Sequence, residues 1–196
     1  MFILSCLLSL AYAHPFSKTE FSLRTSIKIS EKGIVPLVAL EVPIQIALYD
    51  IGAEDQDTKS IKKRKIKAYN EKQWDAMAKG LSFTLNGTPV AGEWLPIAHP
   101  ANGKAAEGFF VYLISFLPDE AYAPLTPGDE IIITNTAYPN LPMVYSGSAY
   151  ATLPYTIADS TAKQILKEHT DKDLNEPERW SKDDKLRTMV VIVGKE

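Results

Sequence analysis

Hydrophobic and polar residues alternate most regularly near the start of the chain. Between Phe21 and Ile29, large apolar side chains are separated by serine, arginine and lysine, which is the period-two pattern of a half-buried strand. An almost uniformly apolar stretch follows at 34–49, and two prolines interrupt it. Because proline removes a ladder hydrogen bond, we expect two short strands there with a bend at Pro43.

Further short strands are expected along the chain, separated by turn residues. Asn86-Gly87 predicts a tight hairpin because both residues tolerate positive φ, and Thr126-Pro127-Gly128-Asp129 is a typical turn sequence. Residues 107–117 are apolar on both faces and predict a central strand. The other expected strands lie at 81–85, 88–90, 131–134, 143–153 and 188–193. The expected buried core includes Phe83, Phe109, Val111, Leu113 and Ile133.

One short helix is expected among these strands. Asn70 can cap it, Trp74 and Met77 follow at helical spacing, and Gly80 is placed to end it. The preceding basic segment, 59–67, is interpreted as a solvated loop or exposed edge, and one or two helical turns are expected near 165. The fold class is therefore mainly β, an immunoglobulin-like β-sandwich with one short helix.

The first thirteen residues form an apolar run that closes on Ala11-Tyr12-Ala13, the small-x-small pattern that a signal peptidase recognises. Residues 1–13 are therefore predicted to be a signal peptide, and 14–196 a single domain that is secreted or periplasmic. The usual Lys or Arg ahead of the run is missing, which leaves open a start upstream of Met1. The single cysteine, Cys6, lies inside this segment, so the mature chain would form no disulfide.

Composition narrows the classes of partner. The chain has 196 residues with 45% hydrophobic composition and a net charge of -3. Without a global basic field, nucleic-acid binding is not expected. No stretch after the signal segment approaches the ~20 apolar residues of a membrane span, so no transmembrane segment is expected in the mature chain. The basic segment could instead contact anionic lipid headgroups, polyanions or an acidic partner.

Cleavage after residue 13 would place a histidine at the new N-terminus. The amine and imidazole of His14 can chelate Cu(II), and a second imidazole would complete a brace of three nitrogen ligands. His99 and His169 are the only other histidines in the sequence. Copper bound by His14 with His99 or His169 is therefore the metal hypothesis, against the alternative that all three are surface residues.

Four other patterns in the sequence have possible chemical roles. Tyr145-Ser146-Gly147-Ser148-Ala149 lacks the Gly-x-Ser-x-Gly elbow of serine hydrolases, and the polar segment 168–173 lacks the spacing of a calcium loop. Trp74, Trp94 and Trp180 could form a carbohydrate platform, although core packing is the commoner role of such residues. Asn86-Gly87-Thr88 matches the glycosylation triplet.

The order of several features resembles a known family. His14-Pro15 directly after the apolar segment, an alternating strand, a helix near Trp74, and 83–90 with its Asn-Gly hairpin are similar to the exported N-terminal domain of bacterial hydrogenase/urease accessory proteins of the nickel-permease-like type. Those proteins continue into several membrane helices, which this sequence does not contain, and no functional residue is carried over.

The expected function is therefore that of an exported, non-enzymatic binding or accessory protein, with a protein or the membrane surface as its partner. The alternative is a copper-binding protein or copper redox enzyme built on His14.

Overall fold

The computed structural model describes residues 20–53, 57–98, 108–168, 180–181 and 184–196. In chain order the elements are β1 (Phe21–Ser30), β2 (Gly33–Pro43), α1 (Ile44–Asp50), α2 (Lys59–Gly80), β3 (Leu81–Leu85), β4 (Thr88–Pro89), β5 (Gly92–Ala98), β6 (Phe109–Pro118), β7 (Glu130–Asn135), β8 (Met143–Ala151), β9 (Tyr155–Ser160), α3 (Thr161–Glu168), β10 (Trp180–Ser181), a 3-10 turn (Asp184–Arg187) and β11 (Thr188–Lys195). The expectation of a mainly β fold is confirmed.

The strands form two sheets that pack against each other in a sandwich-like arrangement. One sheet has six strands in the order β10-β8-β1-β2-β6-β5, and the other has five in the order β4-β3-β7-β11-β9. β1 pairs antiparallel with β2 and parallel with β8. Between the sheets, the ring of Phe83 in β3 meets Phe116 of β6 edge to face, with centroids 5.1 Å apart. The core is therefore built from the inward faces of both sheets.

Most of the expected strands and turns are present. Asn86 and Gly87 have φ of 52° and 75°, as a tight hairpin between β3 and β4 requires. The side-chain amide of Asn86 donates to Asp129 Oδ1 (2.9 Å), and its oxygen accepts from the Glu130 amide (2.8 Å). The expected turn at 126–129 is thereby tied to this hairpin. β5, β9 and β10 were not expected from the sequence.

The prediction of one short helix is wrong, because the described ranges contain three helices. Residues 34–49 form one long strand and then α1, rather than two strands. Pro43, with φ of -55°, directly precedes α1, where the fixed φ of proline suits a helix start. The β2–β6 ladder begins at Leu37, so Pro36 lies where β2 has one hydrogen-bonded neighbour and a missing N–H is tolerated.

The expected helix at 70–79 is the second half of a helix of 22 residues. The interpretation of 59–67 as a loop is wrong: Thr58 caps the helix, accepting a hydrogen bond from the Ile61 amide at 3.3 Å. Lysine and arginine are good helix formers, but their charge suggested a solvated loop or exposed edge instead of a helix. α3 lies where one or two helical turns were expected.

Three of the five expected core residues are buried: Phe83, Phe109 and Ile133. The other two, Val111 and Leu113, are half-buried on the outer face of the six-stranded sheet, and their placement in the core is wrong. Their neighbours in β6 that face the core are Tyr112, Ile114 and Phe116. An all-apolar strand gives no alternation from which the inward face can be read.

Candidate functional site

None of the residues proposed as copper ligands can be placed. His14, His99 and His169 all lie outside the described residues, as does the signal segment 1–13. Within the described ranges, no three His, Cys, Asp or Glu side chains come together as a metal-binding group. The brace therefore stays a prediction from the sequence.

The other sequence patterns have structural roles where they are described. Ser148 Oγ forms a hydrogen bond with Ser26 Oγ (2.7 Å), across the parallel β1–β8 pair. A Cβ at Gly147 would lie 2.8 Å from the sulfur of Met189, so the glycine permits close packing at this point. Trp74 and Trp94 pack against the core, which confirms the packing role for these two.

The most unusual described feature is the distribution of charge along α2. The helix carries eight cationic side chains and two anionic ones, a net charge of +6. Since the whole chain carries -3, all other residues together carry -9. The cations are concentrated in residues 59–68, which we call the basic half of α2, where no residue is buried and no acidic residue occurs.

The second half of α2 anchors the helix to the sandwich. Tyr69, Gln73 and Met77 are its buried residues, and they recur at the four-residue spacing of one helix face. Tyr112 of β6 donates to Asn70 Oδ1 (2.8 Å), and the Tyr138 hydroxyl donates to Gln73 Oε1. The buried residues of the helix therefore all lie in its second half, while the basic half contains the exposed cations.

The exposed cations of the basic half form a line. Lys59, Lys63 and Lys67 are exposed and recur every four residues, so they lie above one another on one side of the helix. Arg64 is exposed next to that line. Of these four, only Lys67 has an ion pair in the described part of the chain, a distant one with Glu71 at 3.7 Å.

This arrangement is unfavourable for the helix itself. The N-terminus of a helix carries partial positive charge, and cations in its first turns are destabilised by a few tenths of a kcal/mol to about 1 kcal/mol each. Like charges four residues apart add repulsion of roughly 0.2–0.5 kcal/mol per pair. The first turn of α2 contains no acidic residue that would offset these effects. Residues that lower the stability of their own helix are typically found where a function requires them.

An exposed apolar and aromatic segment lies against the basic half. Tyr49 is 86% exposed and Leu48 is 38% exposed at the end of α1. Lys65 Nζ donates to the Gly52 carbonyl (2.6 Å) and to Asp57 (2.8 Å). These bonds hold the turn after α1 against Lys65, which projects from α2 on the side away from the line of Lys59, Lys63 and Lys67.

Sequence reasoning did not find a second feature, the buried charges of β1 and β2. Arg24 forms an ion pair with Glu41 at 2.6 Å, with only 9% and 5% of their side chains exposed. Ser22 Oγ donates to the other carboxylate oxygen of Glu41. The strands place these residues on the outer face of the six-stranded sheet. The alternation in β1 predicted solvated positions for Ser22 and Arg24.

One cavity lies near this pair, between the start of β1, α1 and the start of β8. Its volume is about 250 Å³, and its lining is mainly apolar. That volume is below the ~300–1,000 Å³ of typical small-molecule sites. The basic half of α2, with Tyr49 beside it, is therefore the better candidate for a functional surface.

Comparison with models of known protein families and with characterised proteins finds no match to this chain. None of the helices in the described ranges combines the length and the hydrophobicity that crossing a bilayer requires. What the site does must therefore be argued from its own geometry.

Proposed function

We propose that this protein is an exported, non-enzymatic binding module that attaches to anionic membrane surfaces through the basic half of α2. The observation that carries the proposal is the line of exposed cations at 59, 63 and 67 on a helix whose buried residues all lie in its other half. Each Lys or Arg held near an anionic bilayer contributes ~1 kcal/mol of attraction.

The residues beside the cations favour a lipid surface over other polyanions. Tyrosine has an apolar ring and a polar hydroxyl and is favoured at the boundary between headgroups and acyl chains. The exposed Tyr49 and Leu48 supply an apolar contact near Lys65 of the basic half.

Binding to vesicles tests the proposal directly. The protein should sediment with vesicles of phosphatidylglycerol and phosphatidylcholine, and not with phosphatidylcholine alone. The triple variant Lys59→Gln, Lys63→Gln, Lys67→Gln should lose about 3 kcal/mol of attraction, on the order of 100-fold in affinity. Because surface electrostatics are screened over ~8 Å at 0.15 M salt, raising the salt concentration should release the parent protein.

A charge-matched variant provides the control. Lys32→Gln, Lys163→Gln, Lys195→Gln removes the same charge from exposed positions outside α2 and should bind nearly as the parent does. The α2 variant should be at least as stable as the parent, since it removes Lys59 from the helix start and the like-charge repulsion between lysines four residues apart. Equal weakening by both triple variants would contradict a site on α2. Binding that is unaffected by the α2 variant would contradict the proposed function.

Tyr49→Ala separates the apolar contribution from the charge. It should weaken vesicle binding without changing the steepness of the salt dependence, because the number of cations is unchanged. If the protein bound soluble polyanions as tightly as vesicles, and Tyr49→Ala had no effect, the partner would be a polyanion or an acidic protein instead.

Three parts of this proposal rest on the sequence. They are export, the immunoglobulin-like class and the likeness to accessory-protein domains. Two packed sheets of mostly antiparallel strands support the sandwich class. Copper binding at His14 is the alternative function, and the apolar run that ends in Ala11-Tyr12-Ala13 supports both export and that alternative.

A further inference from the structure

A row of side chains crosses the outer face of the six-stranded sheet, one from each of five neighbouring strands. In strand order β8-β1-β2-β6-β5 it consists of Tyr150, Lys28, Val35, Leu117 and Glu93. Val35 and Leu117 become neighbours when the Leu37–Ser115 register is continued by one pair on this face. Three of the five are large hydrophobic residues exposed to 60%, 51% and 59%. An exposed apolar row on a sheet face indicates a contact surface.

The next row is flat enough for close approach. In the same strand order it contains Ser148, Ser26, Leu37, Ser115 and Leu95. Its serine hydroxyls are engaged within the sheet: Ser26 bonds to Ser148 (2.7 Å), and Ser115 donates to the Pro36 carbonyl (2.6 Å). The three serines are short and their hydroxyls are satisfied, and the two leucines add apolar contact, so a second sheet can pack at the ~10 Å distance of face-to-face sheets.

The charges of the first row are arranged symmetrically. Lys28 lies one strand outside β2, and Glu93 lies one strand outside β6. A two-fold axis parallel to the strands, midway between β2 and β6, would exchange these positions. It would place Lys28 of one copy opposite Glu93 of the other, twice, and Val35 opposite Leu117. Neither Lys28 nor Glu93 has an ion pair among the described residues.

We propose that two copies of this protein associate face to face through this surface, with that two-fold symmetry. The occupant is a second copy because the row matches an identical row, in charge and in apolar contact, when the two are related by this two-fold axis. This inference is independent of membrane binding.

The size of the surface predicts a weak dimer. Five strands at ~4.8 Å and two rows at ~7 Å cover roughly 340 Å² per copy. That lies below the usual range for stable specific interfaces, so association should be transient. Association through the edge strand β5 is disfavoured by Pro96 and by the irregular register after it.

Charge reversal tests the arrangement in solution. Sedimentation velocity from about 1 µM to about 1 mM should show reversible dimerisation of the parent. Lys28→Glu and Glu93→Lys should each raise the Kd at least ~10-fold at low salt, because each creates two like-charge contacts. Circular dichroism should show both variants folded. The double variant should return to within ~3-fold of the parent, since both pairs are restored with reversed sign.

Mixing the two single variants is the decisive measurement. In a mixed dimer both contacts pair a carboxylate with an ammonium group, so the mixture should form heterodimers although each variant alone is impaired. A parent protein that stays monomeric throughout the concentration range would overturn the proposal. Single variants that dimerise as the parent does, or a mixture that forms no heterodimer, would overturn it equally.

Discussion

At the scale of single residues, the buried pair of Arg24 and Glu41 departs most from what alternation predicts. Burial lowers the pKa of Arg24, and the neighbouring Glu41 carboxylate opposes that shift. Two charges removed from water are stabilised only while they compensate each other. Removing either partner alone therefore leaves an uncompensated buried charge and lowers the stability of the fold.

Glu41→Gln should lower the free energy of unfolding by about 3–5 kcal/mol, because it leaves the Arg24 charge without its carboxylate in a buried position. Replacing both residues, as Arg24→Met with Glu41→Leu, should cost clearly less, because no charge then stays buried. Urea unfolding of the parent and both variants measures the difference. A double variant as unstable as Glu41→Gln would contradict the argument.

The sequence carried no signal for this pair. Serine, arginine and glutamate occupy alternate positions of neighbouring strands, which is also how a solvated sheet face reads. Burial there depends on which segments cover the sheet, a tertiary property that periodicity does not contain. By contrast, the Asn86-Gly87 turn was predictable because its backbone requirement is local.

At the scale of elements, the two halves of α2 have different surroundings. The second half packs on the sandwich, where the hydroxyls of Tyr112 and Tyr138 donate hydrogen bonds to Asn70 and Gln73. Burial raises the pKa of Tyr138 to about 12, and it also raises the pKa of Tyr112. Burial and the charge of Asp50 raise the pKa of Tyr69. All three groups must therefore stay protonated while α2 is docked.

Stability should accordingly fall at alkaline pH. A tyrosine whose pKa is raised in the folded state contributes no pH dependence below its unfolded value near 10. Above that pH the unfolded chain releases its proton first, so stability is lost as pH rises towards the folded pKa. Urea unfolding on both sides of pH 10 should show this decline. Tyr138→Phe should reduce the number of protons released on unfolding by about one, and an unchanged slope would contradict the role of Tyr138.

At the scale of the whole molecule, the sequence predicted the mainly β class and most strands. Of α2, however, it predicted only residues 70–79 as helix. Net charge along 59–67 was visible, and so was the possibility of an anionic partner. What sequence could not show is that these cations extend from an anchored helix, because the anchoring tyrosines at 112 and 138 are distant in the chain. The apolar row on the outer sheet face likewise exists only in the register of five strands.

The parallel pairing of β1 with β8 has a consequence for how the chain acquires its structure in time. Ser26 and its partner Ser148 are 122 residues apart, which is roughly 6–25 s of synthesis at about 5–20 residues per second. During that interval β1 can pair with β2, but its other edge stays open to neighbouring chains.

Nascent chains that end before residue 143 should therefore aggregate when released, whereas chains that include β8 and β11 should become soluble. Release of ribosome-bound fragments of increasing length, followed by sedimentation, would measure this. Soluble, protease-resistant chains ending at 142 would show that β1 does not depend on its late partner.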